Sequence, residues 1–335
     1  MTNSAKSEPL LTIAIPTFNR APFLHKLLWE LSKQYTPSCS VTIVVSDNAS
    51  ADDTEDIVRQ AAERGLPITY IKNATNLGPD GNILQCFMRA TSKYVWIFGD
   101  DDILLPGALR RILYLLAEKD YDLVFIAPFA FHNDPVKEFA TVKRPSWRQP
   151  TRELSNPFRF VRFVNRHADL IFISSMIIDK RKIPITAIAR FPVLLGSNLV
   201  QLGWVISALN HFCRGLLIEP GLLASKAENS SGGFDAVEVF GKNYNFAVRE
   251  WTSNNSRLQS LLINEHLVLW FSGNWASVSK GSNNITAASP DIILTPLFGR
   301  NFRYWLFVYP LFKLPIPLAK LWGRLVRKVA RWCLV

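Results

Sequence analysis

Apolar and polar positions follow two rhythms along the first 125 residues. Short apolar, β-branched runs at 10–15, 41–45, 68–71, 94–98 and 123–126 are bounded by Pro, Asn, Asp or Gly, the pattern of buried strands. Between them the period lengthens. Leu24, Leu27, Leu28 and Leu31 recur at i, i+3, i+4 and i+7, and Ile57, Val58, Ala61 and Ala62 follow Ser50 and Asp53. The same spacing returns in Ile83, Leu84, Phe87 and Met88, and in Leu109, Ile112, Leu113 and Leu116. Strand and helix thus alternate, which predicts an α/β fold with a doubly wound, mostly parallel sheet. After residue 130 the pattern loosens. It leaves a basic, Pro-containing stretch at 143–150, an aromatic helix at 158–164, an apolar strand at 170–178 and a polar run at 227–233 that reads as a loop or linker.

The chain's end has a rhythm of its own. Leu318, Leu321, Trp322, Leu325, Val326, Val329 and Trp332 fall on one helical face, with Lys320, Arg324, Arg327, Lys328 and Arg331 on the other. Upstream, residues 302–312 are dense in aromatics but too few to span a bilayer. The net charge of +11 is uneven: no acid follows Asp291, and the tail beyond it carries eight of the eleven excess cations. A near-neutral body with a basic aromatic tail predicts an anionic membrane surface met at one end rather than nucleic acid, with docking on the protein's own core or in a dimer interface as the alternative.

Composition narrows the class further. With 48% hydrophobic and 19% charged residues the chain is no disordered segment. Cys39, Cys86, Cys213 and Cys333 show no metal-ligand spacing and fit a reducing compartment. The polar start and the lack of about 18 uninterrupted apolar residues predict neither export nor a spanning helix, hence a cytoplasmic protein.

In an open parallel sheet, ligands bind outside the carboxyl ends of the strands. Those ends carry Pro16-Thr17-Phe18-Asn19-Arg20, Ser46-Asp47-Asn48-Ala49-Ser50, Asn76-Leu77-Gly78-Pro79-Asp80-Gly81-Asn82 and Gly99-Asp100-Asp101-Asp102. Three successive carboxylates repel one another unless a cation compensates them. Oxygen donors without nearby Cys or His favour Mg²⁺ or Mn²⁺. Capping of the helix that begins near Pro106 is the simpler alternative for Asp102.

These four motifs, in this order, resemble family 2 glycosyltransferases of the GT-A fold, most of all the abequosyltransferase-like O-antigen branch, over residues 9–125. A fainter similarity extends to Phe172-Ile173-Ser174-Ser175-Met176-Ile177, matching the family's acceptor-side strand. The resemblance implies that residues 1–125 form the nucleotide-sugar-binding half and 126–230 the acceptor half, with 231–335 a helical, membrane-associating extension whose basic tail spans about 300–335. It implies donor contacts from Pro16, Thr17, Asn19, Arg20, Asp47, Asn76, Gly78, Asp80, Asn82 and Asp100, with Asp47 accepting a hydrogen bond from the base. Asp100 and Asp101 match the DXD-type pair, and with Asp102 they form the candidate set for Mn²⁺ or Mg²⁺. Many relatives carry an acid where Gly99 stands, so which of the three ligates directly stays open.

One departure bears on mechanism. Inverting members place a carboxylate base where this chain has Asn198, and an amide is no useful proton acceptor. Asp169, Asp80 and His167 are the candidate replacements, each with an ordinary alternative as a turn, cap or surface residue. The expected activity is metal-dependent transfer of a sugar from a nucleotide-diphosphate donor to a lipid-linked or membrane-held glycan acceptor in surface polysaccharide synthesis, on the cytoplasmic face of the membrane. The missing acid at 198 motivates the alternative of a non-catalytic nucleotide-sugar-binding or scaffold protein. A nucleotidyltransferase would need a Gly-rich basic loop after the first strand, which Pro16-Thr17-Phe18-Asn19 does not supply.

Overall fold

The computed structural model describes residues 8–141, 150–168, 170–227, 233–278, 285–286 and 290–333, without the side chains of 275–291 and 331–333. The basic stretch at 143–149, most of the polar run at 227–233, the side chain of Trp332 and the whole of Asp169 therefore lie outside the described residues.

Nine strands form one sheet: β1 Leu11–Thr17, β2 Val41–Asp47, β3 Ile68–Lys72, β4 Tyr94–Ile97, β5 Ile103–Leu104, β6 Leu123–Phe131, β7 Thr151–Leu154, β8 Met176–Asp179 and β9 Gly215–Lys226. Their order is β3-β2-β1-β4-β8-β6-β9-β5, with β7 paired to β9. The parallel run β3-β2-β1-β4 is built from strands visible in the hydrophobic pattern, joined by α1 Ala21–Ser32, α2 Thr54–Glu63 and α3 Gly78–Arg89. β8 enters antiparallel between β4 and β6, so the sheet beyond β4 is mixed. The apolar run at 170–178 accordingly splits into a 3₁₀ turn at Ile173–Ser175 and the short β8.

Period-2 alternation sorts the strand side chains onto two faces. Ile13, Ile15, Ile43, Val45 and Trp96 pack with α1 and with α4 Ala108–Glu118. Ala14, Val44, Val95 and Ile97 face Phe87 of α3, Phe160 of α6 Pro157–His167 and Trp204 of α8 Gln201–Asn210; Pro135–Thr141 forms α5 and Ile185–Ile188 α7. This second core does not end at the sheet. It runs on without a break through Tyr244, Val248, Leu262, Phe271, Leu294 and Leu311 of the C-terminal helices. These are α9 Tyr244–Trp251, α10 Ser256–Glu265, α11 Phe271–Val278, α12 Pro290–Phe298, α13 Tyr309–Lys313 and α14 Ile316–Cys333, interrupted by π-helical turns at Glu238–Asn243, His266–Trp270 and Tyr304–Val308.

The single apolar face expected of the last helix is divided. Ala319, Gly323, Val326 and Ala330 of α14 are buried, and Trp322 packs beside them. A Cβ on Gly323 would come within 2.6 Å of the Ser272 carbonyl, so only glycine allows this approach to α11. Leu318, Leu321, Leu325 and Val329 remain outside, at 51%, 62%, 50% and 42% exposure. Among the described residues no helix is long and apolar enough to cross a membrane.

Candidate active site

The loops at the carboxyl ends of β1, β2 and β4 are tied together by their own polar side chains. Asn19, Ala49 and Asn198 have φ of 51°, 66° and 60°, the non-glycine residues in the left-handed region among those described. Such conformations cost about 1–3 kcal/mol each and persist only where neighbours fix them. Here the Asn19 N–H donates to Ser50 Oγ at 2.9 Å and Asn19 Oδ1 accepts from the Ala51 N–H at 2.8 Å. Helix α2 consequently starts only at Thr54, and the Ser50 hydroxyl braces the first loop instead of capping it.

Asp47 is fully buried, its two oxygens accepting from the Ser50 N–H at 2.8 Å and the Tyr70 hydroxyl at 2.6 Å. In this conformation Asp47 holds the 47–50 turn. Burial and the Asp47 carboxylate in turn hold the Tyr70 hydroxyl protonated well above its ordinary range. Asn82 is likewise enclosed, accepting from Ser46 Oγ at 2.6 Å and donating to the Ser46 carbonyl at 2.9 Å, and so braces β2. Asn76 stays exposed at the rim, its Oδ1 accepting from Asn48 Nδ2 and the Gly78 N–H, while Gly78 takes φ 74°.

The acidic turn after β4 is held from three sides. Thr17 Oγ1 donates to Asp100 at 2.8 Å, and the Arg20 guanidinium lies 3.3 Å from Asp100 and 2.8 Å from Asp101. Asp102 turns elsewhere: its carboxylate accepts from the Lys226 N–H on β9 at 3.2 Å and is buried. The structure thus gathers Asp100 and Asp101 on Arg20, while Asp102 neither joins them there nor caps α4, whose N-cap is Gly107 at φ 81°. The Gly99 N–H donates to Ser174 Oγ at 2.8 Å, and a Cβ at Gly99 would meet Asp101, Asp102 and Ser174 oxygens at 3.2–3.3 Å, so an acid there would crowd this turn. Burial raises Asp100 to about 7 against the pull of Arg20, and raises Asp102 to about 8 with help from the Asp101 charge. A turn of this kind carries its full negative charge at neutral pH only beside a cation.

Among the described residues no three His, Cys, Asp or Glu side chains converge as a complete metal cage. Two carboxylates already gathered on one guanidinium fit Mg²⁺ or Mn²⁺, which take one or two protein carboxylates and complete their shell with water and phosphate oxygens.

Of the candidate bases, Asp80 is buried at the start of α3 with its oxygens accepting from the Asn198 N–H at 2.7 Å and the Val200 N–H at 3.1 Å. Burial raises its pKa, opposed by these N–H donors. It fixes the strained Asn198 turn. His167 ends α6, stacked on Phe163 at 4.2 Å with Nδ1 against the Phe163 carbonyl and Nε2 3.9 Å from Glu219. With Asn198 it lines a cavity. Tyr70 escaped the sequence reading, and Ser174 entered it only within the acceptor-side similarity, because each lies in an apolar stretch with its partner 23 and 75 residues away.

A family model, Glycosyl transferase family 2, matches residues 12–180, half of the chain. Abequosyltransferase RfbV of Salmonella typhimurium is 40% identical over 113 residues, 33% of this chain and 34% of that one. The GalNAc(5)-diNAcBac-PP-undecaprenol beta-1,3-glucosyltransferase of Campylobacter jejuni is 34% identical over 118 residues, 35% of this chain and 37% of that one. The chain thus aligns with about a third of the length of these curated relatives. The crystal structure of S. aureus TarS 1-349 in complex with UDP-GlcNAc shares the fold, with a TM-score of 0.60 over 96% of this chain and 91% of that one at 14% identity. Strand ends that gather Asp100, Asp101 and Arg20 on a parallel β3-β2-β1-β4 frame, together with the match over 12–180, place this chain in glycosyl transferase family 2.

Proposed function

We propose that this glycosyltransferase moves a sugar from a nucleotide-diphosphate donor to a lipid-linked or membrane-held glycan in surface polysaccharide synthesis. The single observation that carries the donor side is the Asp100–Asp101 pair, held by Thr17 and Arg20 at the carboxyl end of the parallel strands. The names of the two curated relatives, an abequosyltransferase and an undecaprenol-linked glucosyltransferase, support the polysaccharide setting. Pro16, Asn19, Asn76 and Gly78 rim the donor site, and Arg20 is placed to follow the charge of the diphosphate. Bound at Asp100 and Asp101, Mn²⁺ or Mg²⁺ would supply Lewis-acid stabilisation of the departing nucleotide. The acceptor oxygen forms a bond to the anomeric carbon, the bond from that carbon to the diphosphate oxygen breaks, and its electron pair leaves with the nucleoside diphosphate. The acceptor proton passes to a base, for which the place of His167 in the cavity wall argues more strongly than the enclosed carboxylate of Asp80.

The halves 1–125 and 126–230 serve donor and acceptor in this reading, and the outward stripe of α14 lies on an anionic lipid surface. Four exposed aliphatic side chains flanked by Lys320, Arg324 and Lys328 combine apolar burial at ~25 cal/mol per Å² with roughly 1 kcal/mol per cation near the headgroups. A melting panel with UDP-, GDP-, CDP- and dTDP-sugars, with and without Mn²⁺, tests the donor side, because a ligand of the native state raises its stability. One donor is expected to raise the Tm in a Mn²⁺-dependent way and to be hydrolysed slowly. No shift with any of them would overturn the reading, and a shift without hydrolysis or transfer would leave the non-catalytic scaffold.

A further inference from the structure

The cavity that holds His167 and Asn198 in its wall has a volume of about 640 Å³, within the ~300–1,000 Å³ usual for small-molecule sites. Its far wall comes from outside the matched segment 12–180: Phe240 and Trp270 belong to the π-helical turns Glu238–Asn243 and His266–Trp270. Such turns are rare and recur at functional sites.

The two rings lie 4.3 Å apart, centroid to centroid, and both are half-buried. Trp270 stacks on His266 at 5.5 Å with nearly parallel planes, and His266 stacks on Tyr244 at 3.6 Å. A propped indole at a cavity wall is a fixed, flat apolar platform.

Gln201 supplies the polar counterpart. It lines the cavity, is 94% buried, and donates through Nε2 to the Ile171 carbonyl at 2.8 Å, while its Oε1 has no hydrogen-bond partner among the described residues. A buried amide oxygen left so costs about 1–3 kcal/mol, and native proteins keep few of them. An apolar ligand would leave it unsatisfied. A sugar ring answers both walls, with an apolar C–H face for the rings and hydroxyl donors for the amide.

Two chain segments link the cavity to the acidic turn. Ser225 lines it while the next residue, Lys226, donates its N–H to Asp102, and Phe172 lines it while Ser174 accepts from Gly99. We infer that this cavity binds the terminal sugar of the acceptor glycan, with Trp270 and Phe240 as its stacking platform and the Gln201 side chain turning its buried Oε1 to accept one of its hydroxyls. The inference rests on the glycosyltransferase reading and adds that the C-terminal helices help select the acceptor.

The test is a printed panel of tethered oligosaccharides covering neutral, amino and deoxy sugars, probed with the full-length protein, beside the nucleotide melting panel on the same samples. Wild type is expected to be retained on a subset of glycans. Trp270→Ala should weaken that retention at least tenfold, Trp270→Phe should recover most of it, and Gln201→Leu should cost about tenfold on the same glycans, with the nucleotide-induced shift unchanged in all. Should Trp270→Ala fail to fold, Trp270→Phe and Gln201→Leu still carry the comparison. Nucleotide binding with no glycan retention, or retention indifferent to these substitutions, overturns the inference and leaves the donor reading standing. Retention that the substitutions abolish, without any nucleotide response, upholds the cavity and sinks the donor reading.

Discussion

Asp101 is the least buried member of the acidic turn, and Arg20 is the cation it faces. Asp101→Asn keeps its shape and removes its charge. Transfer is expected to fall at least 100-fold, and nucleotide binding to lose its response to Mn²⁺; a variant with wild-type turnover would remove Asp101 from the metal site. Asn198 presents a different case, since its φ of 60° strains any other non-glycine side chain by about 1–2 kcal/mol. Asn198→Gly should therefore melt like wild type while Asn198→Ala melts lower. Both should lose far less activity than the ~10²–10⁴-fold of a missing general base. Equal and severe loss of turnover in both, with donor binding intact, would make the amide itself mechanistic.

At the scale of elements, α14 divides its labour between two faces, and two substitutions separate them. Leu321→Gln with Leu325→Gln touches only the outward stripe, so the Tm should stay within a few degrees while sedimentation with anionic vesicles at low salt is lost. Gly323→Ala pushes a methyl into the Ser272 carbonyl and should destabilise by about 1–3 kcal/mol, read as a lowered denaturant midpoint. Vesicle binding unchanged by the double substitution would make the stripe ordinary surface. Removing α14 altogether is a poorer experiment than its sequence position implies, because Ala319, Val326 and Ala330 close the packing over α11 and the preceding π-helical turn.

Across the whole molecule, sheet and C-terminal helices share a core and also a buried acid. Glu265 of α10 lies 3.3 Å from Arg162 and accepts from Asn165 at 3.1 Å, both on α6. Burial raises its pKa despite these partners. A raised carboxyl binds its proton more tightly folded than unfolded, so its contribution to stability is full below the unfolded value and declines as pH rises through the folded one. Glu265→Gln keeps a hydrogen-bonding side chain without that decline. Its Tm relative to wild type should rise from pH 5 to pH 8, and a difference independent of pH would mean that Glu265 titrates as it does unfolded.

The sequence alone determined the strands β1 to β4 and the helices α1 to α4, since periods of 2 and 3.6 are local and each buried face is written in consecutive residues. It also located the acidic turn and the family resemblance, because both lie within short motifs. Tertiary structure decided what was nonlocal: that Asp47, Asp80 and Asn82 are enclosed by partners on other strands and turns, that Asp102 answers to Lys226 at a separation of 124 residues, and that β8 enters antiparallel. It decided, too, which side of an amphipathic helix is core and which is surface, a choice that periodicity leaves open because both sides of α14 carry apolar residues and only contact with α11 distinguishes them.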